Sequence, residues 1–124
     1  MGMFDGKIEG PYGVPGPVTN LAAAGAANAA SIFPIPASPN LVGTITIVPR
    51  RIRWTDNGTG GTLLHVGTGV GGAFVALIPA IATVTGFDGE LALPAVEAGV
   101  AITAYPDAVG GSSIDVQLEA DLKG

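Results

Sequence analysis

Cysteine is absent from the 124-residue chain, and histidine occurs once, at position 65. A disulfide framework, a thiolate zinc site and a cysteine nucleophile are thereby excluded, and a histidine-rich metal centre with them. Charge is scarce as well: 12% of residues are Asp, Glu, Lys or Arg, about half the share usual in soluble domains. Only five residues are basic and the net charge is −5, so binding by neutralising phosphates is not expected and nucleic acid is not expected as a partner. Neither a cofactor nor a bound metal is expected.

What the chain has instead is 20 glycines, 10 prolines and a 48% apolar share. Its length fits one ordinary domain, and that breaker content argues against a helical bundle, a coiled coil or a charged disordered tail. The start, MGMFDG, has no basic segment followed by an apolar one, so a cytoplasmic origin is expected. The uncharged stretch from Val66 to Phe87 has the length of a membrane span. Gly67, Gly69, Gly71, Gly72, Pro79 and Gly86 interrupt it, so two short strands fit better than a transmembrane helix, and no membrane partner is expected.

Composition divides the chain near residue 40. Residues 1–40 hold six prolines (Pro11, Pro15, Pro17, Pro34, Pro36, Pro39) and only three charges, Asp5, Lys7 and Glu9. Such a stretch reads as an extended, polyproline-like arm with at most a short helical turn in LAAAGAANAAS (21–31). Val18, Ile32, Phe33 and Ile35 are more apolar than a solvated linker needs, so the arm is expected to lie against something; a disordered leader is the alternative.

Residues 41–124 have an all-β rhythm, with apolar and β-branched runs between Gly, Pro, Asn and Asp. The expected strands are Leu41–Val48, Arg51–Thr55, Thr62–Val66, Ala73–Ile78, Ile81–Thr85, Glu90–Leu93, Val100–Tyr105 and Ser113–Glu119. Eight strands suit an antiparallel, jelly-roll-like β-sandwich. Alternation is clearest at the C-terminus, where Ile114, Val116 and Leu118 point one way and Asp115, Gln117 and Glu119 the other. The run AFVALI (73–78) has no polar face and is expected to be buried on both sides, as a central strand or as a strand inside an oligomer. Asp56-Asn57-Gly58 reads as a hairpin-type turn, and Asn57-Gly58-Thr59, formally a glycosylation sequon, reads the same way.

Three features bear on chemistry. Gly67 to Gly72 (GTGVGG) matches the dinucleotide-binding glycine pattern, but the following AFVALIPA does not offer the helix that pattern requires. A glycine-rich loop is the expected role. His65, alone in a strand, lacks local partners for a metal site or a catalytic set and is expected to be structural. The cluster Arg50-Arg51-Ile52-Arg53-Trp54 holds three of the five basic residues. On a strand Arg51 and Arg53 project together, with Ile52 and Trp54 on the opposite face beside Arg50. That is either a charged edge strand that resists unwanted pairing or an interface, Arg and Trp being enriched at binding hot spots.

A Pro/Gly/Ala-rich arm before a charge-poor β domain, with the stretches GTLLHVGTGVGGAFVALIPAIATVTGFDGELALP and GVAITAYPDAVGGSSIDVQLEADLKG, resembles the auxiliary virion proteins of tailed bacteriophages: capsid decoration (cement) proteins and fibre modules. The likeness covers the β half and the general character of the arm. It implies a non-enzymatic structural protein, often a homotrimer, that is assembled in the host cytoplasm into the virion. There it binds a capsid or another virion protein and bridges neighbouring subunits through its arm. The competing class is a carbohydrate- or receptor-binding sandwich with Trp54 or Tyr105 as a stacking platform; an enzyme fragment is a third.

Overall fold

The computed structural model describes residues 14–34, 46–84, 88–93 and 98–123. Its strands are β1 (Val14–Pro15), β2 (Thr19–Leu21), β3 (Ala30–Phe33), β4 (Thr46–Asp56), β5 (Leu63–Thr68), β6 (Val75–Ala76), β7 (Ile81–Ala82), β8 (Asp88–Ala92), β9 (Ile102–Pro106) and β10 (Ile114–Lys123). Two three-residue 3-10 turns, Ala26–Asn28 and Gly71–Ala73, are the only helical pieces among the described residues. None of those residues forms a helix long and apolar enough to cross a membrane.

The protein is all-β, with two five-stranded antiparallel sheets, consistent with a β-sandwich. The first sheet runs β1-β10-β4-β8, with β2 also on β10; the second runs β3-β9-β5-β6, with β7 also on β5. From β3 onward the chain passes repeatedly between the sheets. The Asp56-Asn57-Gly58 turn therefore joins β4 of one sheet to β5 of the other and closes no hairpin.

The core fills the space between the sheets with Ile32, Ile47, Ile52, Leu64, Val66, Ile102, Ile114, Val116 and Leu118, each almost wholly excluded from solvent. On β10 the expected alternation is exact from Ile114 to Leu118. On β4 a simple alternation fails, because Ile47 and Ile52 are five residues apart and a regular strand would aim them at opposite faces. Both are buried. The register against β10 shifts between Glu119 and Ala120, which face Arg51 and Pro49, so Arg50 is the extra residue of a β-bulge. The bulge changes the parity of the strand and returns Ile52 to the core. It falls where Pro49 has no N–H to give the ladder. As a result two expected strands merge into one, and Arg50, expected on the face of Ile52 and Trp54, is instead exposed and paired with Asp121 at 3.3 Å.

Two other expectations change. Residues 14–34, expected within the arm, supply β1 and β2 to the first sheet and β3 to the second. The segment crosses from one sheet to the other along one side of the sandwich, tied by Gly16 N–H to the Leu118 carbonyl (2.7 Å) and Gly25 N–H to the Pro106 carbonyl (3.0 Å). The AFVALI run is not a buried central strand: Val75 and Ala76 lie at the edge of the second sheet and are exposed, Val75 at 62%. Only Ile78 of that run is buried.

Candidate functional site

Among the described residues, the side of the sandwich away from the crossing segment is open. There β8 edges the first sheet and β6 and β7 edge the second, among the described residues. A cleft of about 300 Å³ separates them, lined by Trp54, Asp88 and Gly89 from the first sheet and Ala82 and Val84 from the second. Register explains why Trp54 is there. It stands opposite Gly89 on β8, and Ile52 stands opposite Leu91, so Trp54, Gly89 and Leu91 all project to the inner face. Leu91 is nevertheless 43% exposed, and Val84 across the cleft 61%. This flank therefore presents exposed aliphatic side chains beside a half-buried indole.

The outer face of the same strands is polar and internally satisfied. Arg51 Nε donates to Glu119 Oε2 at 2.7 Å and its Nη1 lies 3.0 Å from Glu90 Oε1. Arg53 reaches the same two carboxylates, each at 3.5 Å. Hydrogen bonding from Arg51, reinforced by the charges of Arg51 and Arg53, holds the Glu119 carboxyl below its ordinary value against the opposing effect of desolvation. Hydrogen bonding to Glu119 and the Glu119 and Glu90 charges likewise raise Arg51. A second depression of about 340 Å³ lies beside this grid, lined by Arg53, Thr55, Asp88, Gly89 and Glu90. Thr55 Oγ1 donates to Asp88 Oδ1 across the strands at 2.8 Å.

The residues singled out as an interface therefore separate. Trp54 lines the cleft; Arg51 and Arg53 lie on the opposite face of β4 in ion pairs within the chain. Ile32 and Phe33 are in the core, with 0% and 4% exposure, and their apolar surface is used inside the protein rather than offered to a partner. Val18 lies on the crossing segment, 67% exposed. Ile35 is outside the described residues.

His65 has structural neighbours. Its ring stacks on Tyr105 with centroids 4.6 Å apart, Phe74 meets Tyr105 edge-on at 4.8 Å, and His65 Nε2 lies 2.6 Å from Asp107 Oδ1. One face of Tyr105 is thus occupied by the chain itself. The GTGVGG stretch begins in the last two residues of β5 and ends inside the 3-10 turn Gly71–Ala73, and the edge strand β6 follows. Among the described residues no three acidic or imidazole side chains group as metal ligands, and no buried side-chain N or O lacks a partner.

Two polar clusters escaped the sequence reading. Asp56, at 0% exposure, accepts from Gly58 N–H (3.0 Å), Thr59 N–H (2.8 Å), Thr59 Oγ1 (2.7 Å) and Thr83 Oγ1 (2.8 Å). Burial acts to raise its carboxyl, but the bonds from Thr59, Thr83 and Gly58 prevail and hold it at about 2. The Asp-Asn-Gly-Thr pattern signals the local part of this turn; Thr83, 27 positions away, carries no such signal. In the second cluster Asn20 and Asn57 both donate to Asp115 and to Ser113. Those partners lie between 56 and 95 positions apart, beyond any local pattern.

Set against models of known protein families, curated proteins and solved structures, the chain matches none of them.

Proposed function

We propose that this chain is a non-enzymatic jelly-roll protein of a virion, a decoration protein that docks on a capsid subunit through the open side of its sandwich. The observation carrying this reading is strand order. Taking β1 with β2 and β6 with β7 as interrupted single strands leaves eight, ordered first-eighth-third-sixth in one sheet and second-seventh-fourth-fifth in the other. That order supports reading the sandwich as the double Greek key of a jelly roll, an architecture found in viral capsid and lectin domains. The step from fold to virion is an analogy; the resemblance in composition supports it independently.

The surface chemistry supports attachment. The outer face of β4 has its arginines matched to carboxylates, whereas the cleft flank presents Trp54, Val84 and Leu91 to water, an arrangement that favours burial on a partner. A copy seated across a joint between shell subunits resists their separation by the area it buries. Association as a homotrimer, and bridging by residues ahead of β1, belong to the same proposal.

Cosedimentation with capsids of the phage that encodes the chain tests it, using Leu91→Asp and Val84→Asp beside the wild type. Binding lost in both variants, with the circular dichroism spectrum unchanged, is expected. Undiminished binding by both removes the open side from the proposal. Absence of capsid binding, together with selective glycan-array binding lost in Trp54→Ala, replaces the proposal with the lectin reading.

A further inference from the structure

The turn after β4 contains Asn57-Gly58, the dipeptide most prone to spontaneous loss of ammonia, because glycine leaves its own backbone nitrogen unhindered. Here four polar groups of that dipeptide are held: the Asn57 side-chain amide nitrogen, the Asn57 N–H and carbonyl, and the Gly58 N–H. Asn57 Nδ2 donates to Ser113 Oγ at 3.1 Å and to Asp115 Oδ2 at 3.0 Å. The Asn57 N–H donates to the Ser113 carbonyl at 2.9 Å, and the Asn57 carbonyl accepts from Ser112 Oγ at 2.8 Å. The Gly58 N–H, the incipient nucleophile, donates to Asp56 Oδ1 at 3.0 Å. We infer that Asn57 is a latent deamidation site, which this clasp keeps closed in the folded chain and whose modification loosens the junction of β2, β4 and β10.

The chemistry is hydrolytic and needs only water. The Gly58 nitrogen gives up its proton and attacks Asn57 Cγ; the new C–N bond closes a five-membered succinimide as the Cγ–Nδ2 bond breaks and ammonia departs with the proton. Water then opens either carbonyl, giving aspartate or isoaspartate. To attack, Gly58 N must swing toward Cγ by rotation about the Asn57 Cα–C bond. That rotation breaks the Gly58–Asp56 bond and the Ser112 bond to the Asn57 carbonyl together. The side-chain amide must also leave Ser113 and Asp115. A negative carboxylate against the Gly58 N–H further opposes loss of its proton.

Once formed, the product does not fit. An aspartate at position 57 puts a carboxylate oxygen where the amide donor stood, at hydrogen-bond distance from Asp115 and next to Asp56. Asp115 is held ionised by the Asn20 and Asn57 amides against its own burial, so one of its two donors becomes a repelling charge. Isoaspartate adds a backbone methylene and displaces the link from β4 to β5 as well.

The test incubates the full chain in mildly alkaline buffer, native or in urea, and follows position 57 by peptide mapping for the gain of about one mass unit and for isoaspartate. Conversion about tenfold or more slower in the native chain is expected, since it must await local opening. In Ser113→Ala, which removes one acceptor and leaves Asp115, native conversion is expected to rise severalfold with the circular dichroism spectrum unchanged. Equal rates with and without urea overturn the proposal. The consequence is tested separately: Asn57→Asp lowers the thermal midpoint, and adding Asp115→Asn, which again sets an amide opposite a carboxylate, recovers part of the loss. An Asn57→Asp chain as stable as the wild type overturns the link between modification and the junction.

Discussion

Trp54 and Gly89 face each other across β4 and β8 so closely that a Cβ on Gly89 would lie 2.1 Å from the indole ring. The glycine is thus a requirement of the tryptophan: the ring lies across a backbone that has no side chain to displace it. One wall of the open cleft depends on this pair.

Gly89→Ala is accordingly expected to drive the indole from its place and to destabilise the chain by about 1–3 kcal/mol, the usual range for overpacking. Trp54 is the single tryptophan, so its fluorescence reports the displacement directly. An unchanged emission maximum and an unchanged thermal midpoint would show that the ring is not held by this contact.

Acid should find Asp56. Its carboxyl titrates at about 2 in the folded protein against an ordinary 3.8, so the unfolded chain takes up the proton first as pH falls. The stabilisation, at most about 2 kcal/mol, is complete above the ordinary value and disappears as pH falls through the folded one. Urea unfolding at a series of acidic pH values measures it. Asp56→Ala should flatten that part of the profile and cost about 3 kcal/mol at neutral pH, because Thr59, Thr83 and two backbone N–H groups lose their acceptor.

Truncation should divide the N-terminal 40 residues into two parts. Removal of residues 1–12 is expected to preserve the β spectrum and the melting transition. Removal of 1–34 takes away Leu21, Ile32 and Phe33, all in the core, at about 2–5 kcal/mol for each large apolar side chain lost. That is enough to unfold a domain of ordinary stability. A cooperative melt in the longer truncation would mean that the crossing segment is dispensable to the fold.

The ion-pair grid should contribute little by comparison. Arg51 and Arg53 are about half exposed, and exposed pairs are screened by water and salt. Arg51→Ala is expected to move the thermal midpoint less than Gly89→Ala does, with the difference shrinking in high salt. A larger shift for Arg51→Ala, independent of salt, would reassign the stabilisation to packing of its aliphatic stem.

Local sequence reveals this protein wherever its rules are local. Ile114, Val116 and Leu118 disclose both strand and buried face by a period of two, and Trp54 stood out by residue type. The reading fails where pairing across the chain decides. Pro49 and Arg50 look like a break between strands; opposite the unbroken β10 they become a bulge within one. The prolines of residues 11–39 suppress any period, yet three short strands need only a few residues each and find partners in β9 and β10. Val75 looks buried by hydropathy, but at a sheet edge no layer covers it among the described residues. The cleft joins β4 and β8 to β7, a meeting that no run of neighbouring residues announces.

The strand at the centre of the first sheet, β10, is also the last one described. It carries β1 and β2 on one side and β4 on the other, so none of those three ladders exists until residues 114–123 arrive. On the ribosome, synthesis of the first hundred residues leaves Ile47, Ile52 and Leu21 without the strand that aligns them. The first sheet is completed only after residues 114–123 have emerged, and the closure of such distant pairings makes its formation slow. Few charges and many glycines keep the waiting chain free of strong local structure that would have to be undone.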